Sequence, residues 1–400
     1  MNSRISSSMM YDQSVFLMLS KQSKLAHLEQ QLATGKKIVT AKDDPVASGT
    51  AVGLDRSLAA LEQMKLNGSA VQNRLGLQEN TLAQVNDMMG RVTELTIYAS
   101  NPALAAADKK ALVAEISSIR DGLLSLANAT DGTGRYLFGG TQDGSPPFSV
   151  INGSLVYNGD QTQRQVEVAP GTYAKDALPG SEVFLRVPTG DGSVDATAAI
   201  GNTGKAVLTN ISRDSNGGWD GNAFSIRFTA PNQYEVLDAG GNVTANGTTS
   251  SGEDIVVNGV RLHFDGEAAA GDSFDVHAAT SRDIFATLDN LISGLNSDTG
   301  TPAQLAAQQN QLQAALRDVA RASERMIDAR ASGGAQLKTL DDASAMREAN
   351  NVTIQGTLSQ LRDLDYAAAI SEYQLESTAL QAAQTIFMQM QQMSLFQRLG

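Results

Sequence analysis

The sequence predicts an α+β multidomain chain. In it, a terminal α-helical coiled-coil bundle, with N- and C-terminal helices paired, carries a central, mostly-β insertion of one or two small domains. Three observations predict this. Both ends are rich in Ala, Leu and Gln and are patterned at helical spacing, whereas the middle is not. Near the N-terminus, steps of seven from Leu54 give Leu61, Gly68, Leu75, Leu82, Met89 and Thr96, with Ser57, Met64, Val71, Gln78, Val85 and Val92 three residues further on. Near the other end, alternating steps of four and three give Leu305, Gln309, Leu312, Leu316, Val319, Ser323 and Met326, while most of the 36 glycines lie between residues 131 and 280. A heptad stripe cannot bury itself alone. Two stripes at opposite ends of one chain therefore predict that the ends pack together and loop the middle out.

The elements follow in order. Residues 1–35 read as a helix with Met18, Leu25, Leu28 and Leu32 near one face, stopped at Thr34-Gly35. In AKDDPVASG (41–49), Asp44 reads as the cap and Pro45 as the first turn of a helix running to about Ala99, which Asn101-Pro102 breaks. A shorter helix spans about Ala106–Ala127, with Leu112, Ile116, Ile119, Leu123 and Leu126 on one face. The middle carries repeated turn dipeptides: Asn152-Gly153, Asn158-Gly159, Asn216-Gly217, Asn246-Gly247 and Asn258-Gly259. The last sits inside DIVVNGVRLHF (254–264), a strong hairpin signal. Gln165–Val168, Glu182–Val187, Ala223–Thr229 and Gln233–Leu237 read as further strands. From about Arg282 the helical pattern returns, with Thr301-Pro302 as a boundary and Gly333-Gly334 as a weak spot inside a continuing apolar phase. The expected organisation is an N-terminal assembly helix at 1–40, two halves of a helical rod at 41–134 and 282–360, a β-hairpin region at 135–190, an outer β domain at 191–281, and a C-terminal assembly helix at 361–400.

Composition narrows the function. Aromatics are only 5% against 42% hydrophobic residues, a weighting that suits thin helical bundles better than a large rounded core. A net charge of −13 argues against nucleic acid, since phosphates need basic patches. The acidic surplus of the middle reads as a solvated, self-repelling surface. The absence of cysteine excludes disulfides and thiol chemistry. The leader MNSRISSSMMYDQSVFLMLSK is interrupted by Asp12, Gln13 and Ser14 and lacks a small-residue cleavage site, so it does not read as a cleaved signal. No apolar run of membrane-spanning length occurs.

No constellation points to catalysis, a metal or a cofactor. His27, His263 and His277 have no ligand-like spacing. Without cysteine, and with so few histidines, a nucleophile–base pair is hard to build. Asp43-Asp44 reads as a helix cap and Asp341-Asp342 as a solvated face, rather than as paired catalytic carboxylates. GTGRYLFGGT (132–141) has no Lys before its Thr and follows a helix, so its glycines read as turn residues and not as a phosphate loop. Trp219 reads as a core residue at a strand edge.

The last stretch is harder to assign to an ordinary core. From Ser377 to Gln397 there is no charged residue. One face carries Leu375, Ala379, Ala382, Ile386, Met390 and Met393, and Phe387, Leu395, Phe396 and Leu399 add further apolar surface. A helix without charge on its outer face is covered on several sides. The N-terminal helix supplies one side, and neighbouring chains are the candidates for the rest.

Arg4-Ile5-Ser6, QQLATGKKIVTAKDDPVASGTAVGL (30–54) and LRDLDYAAAISEYQLESTALQAAQTIF (361–387) resemble the terminal signature of the flagellin family. GRYLFGGTQDGSPPF (134–148), YNGDQTQRQVEVAPG (157–171), which looks like a first hairpin, and the terminal SLFQRL (394–399) are similar to the hook–filament junction branch of that family. The resemblance implies a non-enzymatic structural subunit of the bacterial flagellum, without cofactor. It would be exported uncleaved through the flagellar type III channel to the cell exterior. The implied partners are neighbouring copies of the chain, the first hook-associated junction protein, flagellin, and a cytoplasmic export chaperone on the C-terminal helices, with no nucleic acid and no membrane insertion. The expected assembly contacts are Ile5, Met9, Phe16, Leu19 and Leu32, with Leu375, Ile386, Met390, Met393, Leu395, Phe396 and Leu399. Two rival readings are filament flagellin itself and a secreted adhesin or glycan-binding β domain on a helical stalk.

Overall fold

The structure is a computed structural model that describes residues 7–151, 154–214 and 217–399, with side chains between 9 and 391. Among the described residues six α-helices bracket a β-rich middle: α1 (Ser7–Thr34), α2 (Pro45–Ala99), α3 (Ala106–Ala127), α4 (Ile284–Leu295), α5 (Pro302–Arg362) and α6 (Tyr366–Leu399). The chain divides into two compact units, residues 1–66 with 343–400, and residues 67–342, so the boundary falls within α2 and α5.

Local chemistry sets the helix ends. Asp44 accepts the Ala47 amide at 2.9 Å, which caps α2 ahead of Pro45. Thr301 and Gln304 form a reciprocal capping box at the start of α5: the Thr301 amide donates to Gln304 Oε1 at 3.0 Å and the Gln304 amide to Thr301 Oγ1 at 3.2 Å. Gly333 and Gly334 lie within an unbroken α5.

The helices of the 67–342 unit close a single apolar core. Leu82, Val85, Met89 and Val92 of α2 meet Leu112, Ile116 and Leu123 of α3, Leu288 and Leu291 of α4, and Leu312, Val319 and Met326 of α5. Of the predicted heptad positions, Leu82, Val85, Met89 and Val92 on α2 and Leu312, Val319 and Met326 on α5 are buried here, whereas Leu316 and Ser323 are half-buried and Ala315 and Ala322 take their places in the core. Arg74 of α2 fastens this bundle to the loop that leaves α3, at Asp131, and to a later segment at Asp176. Its Nε donates to Asp176 at 3.1 Å and its Nη1 to Asp131 at 3.0 Å, and all three side chains are buried.

Among the described residues fourteen short strands follow, and every pairing among them is antiparallel. Two hairpins come first, β1 (Phe148–Ile151) with β2 (Ser154–Tyr157) and β3 (Gln165–Ala169) with β4 (Thr172–Lys175). Then come β5 (Val187–Pro188), β6 (Val194–Ala198), β7 (Val207–Arg213), β8 (Phe224–Ala230), β9 (Gln233–Asp238) and β10 (Val243–Thr248). Last are β11 (Asp254–Val257), β12 (Val260–Asp265), β13 (Ser273–Ala278) and β14 (Ser281–Arg282). A five-stranded sheet in the order β10-β9-β8-β13-β6 and a three-stranded sheet in the order β11-β12-β7 share one core of Phe224, Ile226, Phe228, Leu262, Phe264 and Phe274. Trp219 joins that core, and its indole donates to the Asn222 carbonyl at 3.1 Å. The predicted hairpin turn is present: Asn258 and Gly259 have φ of 49° and 75°, as a tight two-residue turn demands.

Several local readings differ from the sequence expectation. Glu182–Val187 is not one strand, and only its last residue, Val187, is paired, in β5. Ser181–Leu185 is a π-helical turn, because Val183 and Phe184 are both buried in succession and Phe184 packs edge-on against Phe138 at 5.0 Å. Alternation, the mark of a strand, is absent there. Asn246-Gly247 is not a turn but part of β10, where a Cβ on Gly247 would come within 2.5 Å of the Tyr234 hydroxyl. The turn before it is made by Asp238, whose carboxylate accepts the Gly240 and Asn242 amides at 2.8 and 2.9 Å. Segment 157–171 holds β3 and the turn into β4, and the first hairpin is β1–β2. Finally, the helix breaks at 363–365, where neither Gly nor Pro announced a stop. Asp365 accepts the Ala368 amide at 3.1 Å and starts α6.

Candidate assembly surface

The terminal helices α1 and α6 pair antiparallel within the 1–66/343–400 unit. Half-buried and buried residues on α1 recur as Met18, Lys21, Leu25, Leu28 and Leu32, and on α6 as Ala369, Tyr373, Glu376, Leu380, Ala383, Phe387 and Met390. These steps of three and four are the seam of a coiled coil. At one end Tyr11 and Phe387 stack with ring centroids 5.1 Å apart, and toward the other Tyr373 donates to Glu29 at 3.0 Å. Between them Glu376, nearly inaccessible, receives Lys21 at 2.5 Å and Lys24 at 2.9 Å, and Lys24 also meets Glu372 at 2.8 Å. Hydrogen bonds from Lys21 and Lys24 hold the Glu376 carboxyl below the usual glutamate range.

The two connecting turns of this unit are laced by backbone bonds. Gly35 adopts φ +67° and its amide returns to the Gln31 carbonyl at 2.8 Å, a left-handed helix stop. The Lys37 amide then donates to the Arg362 carbonyl at 2.6 Å and the Leu364 amide to the Gly35 carbonyl at 3.0 Å. Arg362 also grips Asp55 of α2 with both terminal nitrogens, at 3.0 and 2.5 Å. Asp43 accepts the amides of Thr40 and Val39 at 2.8 and 3.0 Å, and the Thr40 bond above all depresses its pKa. The neighbouring acidic pair thus serves as turn clasp and helix cap. His27 stands 3.6 Å from Asp43, and among the described residues no cluster of ligands suited to a metal occurs.

The outer faces of the pair are apolar. On α1, Phe16 is 72% exposed, with Met9, Met10, Leu17 and Leu19 exposed beside it. On α6, Leu375 is 67% exposed and Ile386 58%, with Met388 near them. The α6 stripe read from the sequence therefore lies mostly off the seam: Leu375 and Ile386 point outward, while Met390 is half-buried. The seam itself uses Leu380, Ala383 and Phe387, which the sequence reading did not separate from the rest of an uncharged helix. Leu32 is half-buried on the seam, and Met9, Phe16 and Leu19 face away from it. Ile5 and the side chains of Met393, Leu395, Phe396 and Leu399 lie outside the described residues. Contiguous exposed apolar surface of this kind marks a binding face.

Residues 5–143 match the model of the bacterial flagellin N-terminal helical region. The flagellar hook-associated protein 3 of Escherichia coli K12 is 27% identical over 394 residues, covering 98% of this chain and 99% of its own length. The crystal structure of Xanthomonas campestris FlgL is 53% identical, covers 76% of this chain and 99% of that one, and superposes with a TM-score of 0.72. Hook-associated protein 3 of Legionella pneumophila, 26% identical, covers 77% of this chain and 98% of its own with a TM-score of 0.73. With identity of this order across the whole of a solved relative, the chain belongs to the family of flagellar hook-associated protein 3.

Proposed function

We propose that this chain is the structural subunit that joins the hook-associated zone of the bacterial flagellum to the flagellin filament, and that it acts without catalysis. The observation that carries the mechanism is the terminal helix pair, which satisfies one seam internally and leaves apolar side chains on both outer faces. Each large apolar side chain moved from water into a neighbour's groove contributes about 1.5–3 kcal/mol, so a ring of copies gains what a single copy cannot. Met9, Phe16, Leu19, Leu375 and Ile386 are the proposed contacts between copies. Leu32 and Met390 support them from the seam, and Ile5, Met393, Leu395, Phe396 and Leu399, outside the described side chains, are proposed as further contacts. Residues 1–40 and 361–400 serve as assembly helices, 41–134 and 282–360 as the two halves of the helical rod, 135–190 as the hairpin region and 191–281 as the outer domain. The proposed partners are further copies of the chain, the first hook-associated junction protein on one side and flagellin on the other. The site of action is the cell exterior, reached by type III export. A cytoplasmic chaperone covers the C-terminal helices before export.

The near-full-length likeness is to hook-associated proteins, whereas the flagellin model covers only residues 5–143, and this favours a junction subunit over filament flagellin. Deleting residues 380–400 is expected to abolish assembly and chaperone binding while leaving a soluble, folded middle. Filament attachment by the truncated chain would refute the assignment.

A further inference from the structure

We propose that the Asp318 carboxylate of α5 pins the double-sheet region, residues 191–281, in one orientation on the helical bundle, and that the chain around Gly190 is the joint it holds. Shared apolar packing does not fix that orientation. Among the described residues, none between 191 and 281 belongs to the bundle core and none of α5 belongs to the double-sheet core. Crevices of about 280 and about 660 Å³ lie between the two parts. Ile200, Ala206 and Ala307 border the first, and Val207, Asp265 and Pro302 the second.

Two chain segments connect the parts, and they pair as a ribbon. Val187 of β5 faces Arg282 of β14 and Pro188 faces Ser281; further out, Val194 of β6 faces Ala278 of β13. Between these pairings residues 189–193 oppose only 279–280. Such an excess on one strand bends a ribbon and takes residues out of its ladder. Gly190 and Gly192 stand there with φ of +64° and +93°. A Cβ on Gly190 would come within 2.2 Å of the Val194 carbonyl oxygen, so the bend needs glycine. Asp191 ties the outer side of the bend to the double-sheet region. Its carboxylate accepts the Ser193 and Val194 amides, each at 2.7 Å, and the Arg213 amide of β7 at 2.8 Å. That leaves Gly190 as the pivot.

Asp318 meets both segments at this pivot. Its Oδ1 accepts the Gly190 amide at 3.2 Å, and its Oδ2 accepts Arg282 Nη1. The Asp318 side chain is only 3% exposed, and Arg282 reaches it from a half-buried position. Arg317, the next residue on α5, shares the same carboxylate charge and also faces Asp195 of β6. Its Nε has no hydrogen-bond partner among the described residues. Without the Asp318 charge, Arg282 on the ribbon and Arg317 on α5 lose the anion they share, which turns an attraction across the joint into a repulsion. The remaining contacts go to backbone groups of the double-sheet region. Asn310 donates to the Ala206 carbonyl at 2.9 Å and accepts the Leu208 amide at 2.8 Å, and Arg317 donates to the Leu208 carbonyl at 3.2 Å. A neutral pair of bonds such as those of Asn310 contributes little net, because water replaces it.

The chain has no cysteine, so introduced labels report alone. In the full-length chain, nitroxides on Ile97→Cys of α2 and Val243→Cys of β10, both exposed positions, measure the distance between the two parts by pulsed electron resonance. The parent should give one narrow distribution. Asp318→Asn and Asp318→Ala should each widen it at least about two-fold, and amide exchange in 187–193 should rise at least about ten-fold. Asn310→Ala should keep the width within about a fifth of the parent. Two control pairs, Ile97→Cys with Ile327→Cys inside the bundle and Val243→Cys with Val256→Cys inside the double-sheet region, should keep their parental widths in every variant. A broad distribution in the parent overturns the proposal. So does an unchanged width in either Asp318 variant, unchanged exchange in 187–193, or equal widening by Asn310→Ala. Widening within a control pair also overturns it, since Asp318 would then support the fold of that part and not its orientation. All of this is read on the isolated chain, so it stands or falls independently of the junction role.

Discussion

Arg74 and Phe16 represent two ways in which a single side chain acts here. Arg74 is buried between Asp131 and Asp176, and its Nη2 also donates to the Tyr136 carbonyl at 3.3 Å. Replacing it with Met leaves buried carboxylates without their cation. Arg74→Met should therefore lower the stability of the 67–342 unit by about 3–5 kcal/mol, read as an earlier urea midpoint. The same network gives a pH signature. Burial tends to raise the Asp131 pKa, but hydrogen bonds from Thr133 and the Arg135 amide, with the Arg74 charge, outweigh it and lower the value from 3.8 to about 2. A depressed carboxyl contributes stability that is full above its unfolded value and is lost as pH falls through the folded one. Acid titration should thus remove a component of stability between pH 3.8 and about 2. Asp131→Asn should flatten that part of the curve. Phe16 is the opposite case. Being 72% exposed, Phe16→Ser should shift the unfolding midpoint of the isolated chain by no more than about 0.5 kcal/mol while weakening assembly. Leu28→Ala, at a buried seam position, should destabilise the chain itself.

At the scale of elements, the α1–α6 pairing depends on a turn as much as on a seam. A Cβ on Gly35 would stand 2.8 Å from the Tyr366 hydroxyl, and the backbone there has φ +67°. Gly35→Val meets both obstacles. It should loosen the docking of α1 against α6, seen as faster proteolysis within residues 7–34 with no change in the core of the 67–342 unit. The helices themselves were legible because their signals are local: Asp44 with Pro45, Thr301 with Gln304, and heptads running through Leu82, Met89, Leu312 and Val319. What was not legible depends on tertiary partners. Phe184 curls into a π-helical turn to reach Phe138, and Gly247 stays extended beneath Tyr234. The break at 363–365 exists because Arg362 and Leu364 bond across to the turn at Gly35 and Lys37. The seam of α6 was hidden for a different reason. A helix with apolar residues on two faces gives no contrast from which to choose the inner one, so the stripe through Leu375 and Ile386 stood out although those residues are exposed.

Taken as a whole molecule, the chain pairs its own terminal helices and still leaves apolar surface on them. Its own cores are complete: one bundle around Met89, Ile116 and Val319, and one double-sheet core around Phe264 and Phe274. On the terminal helices Phe16, Leu19, Leu375 and Ile386 lie exposed. The flagellin-like signature was legible because it sits in those helices and their turns. The double-sheet region could be foreseen as β structure from its Asn-Gly turns, but its strand order could not, since β8 pairs with β13 across a long stretch of chain. The central claim is that this chain is the piece on which flagellin polymerises at the hook. The most direct test is the state of flagellin in cells from which the chain has been deleted. The account predicts intact hooks and unpolymerised flagellin in the medium, reversed by supplying the full-length chain. Filaments of normal length growing from hooks that lack it would contradict the account.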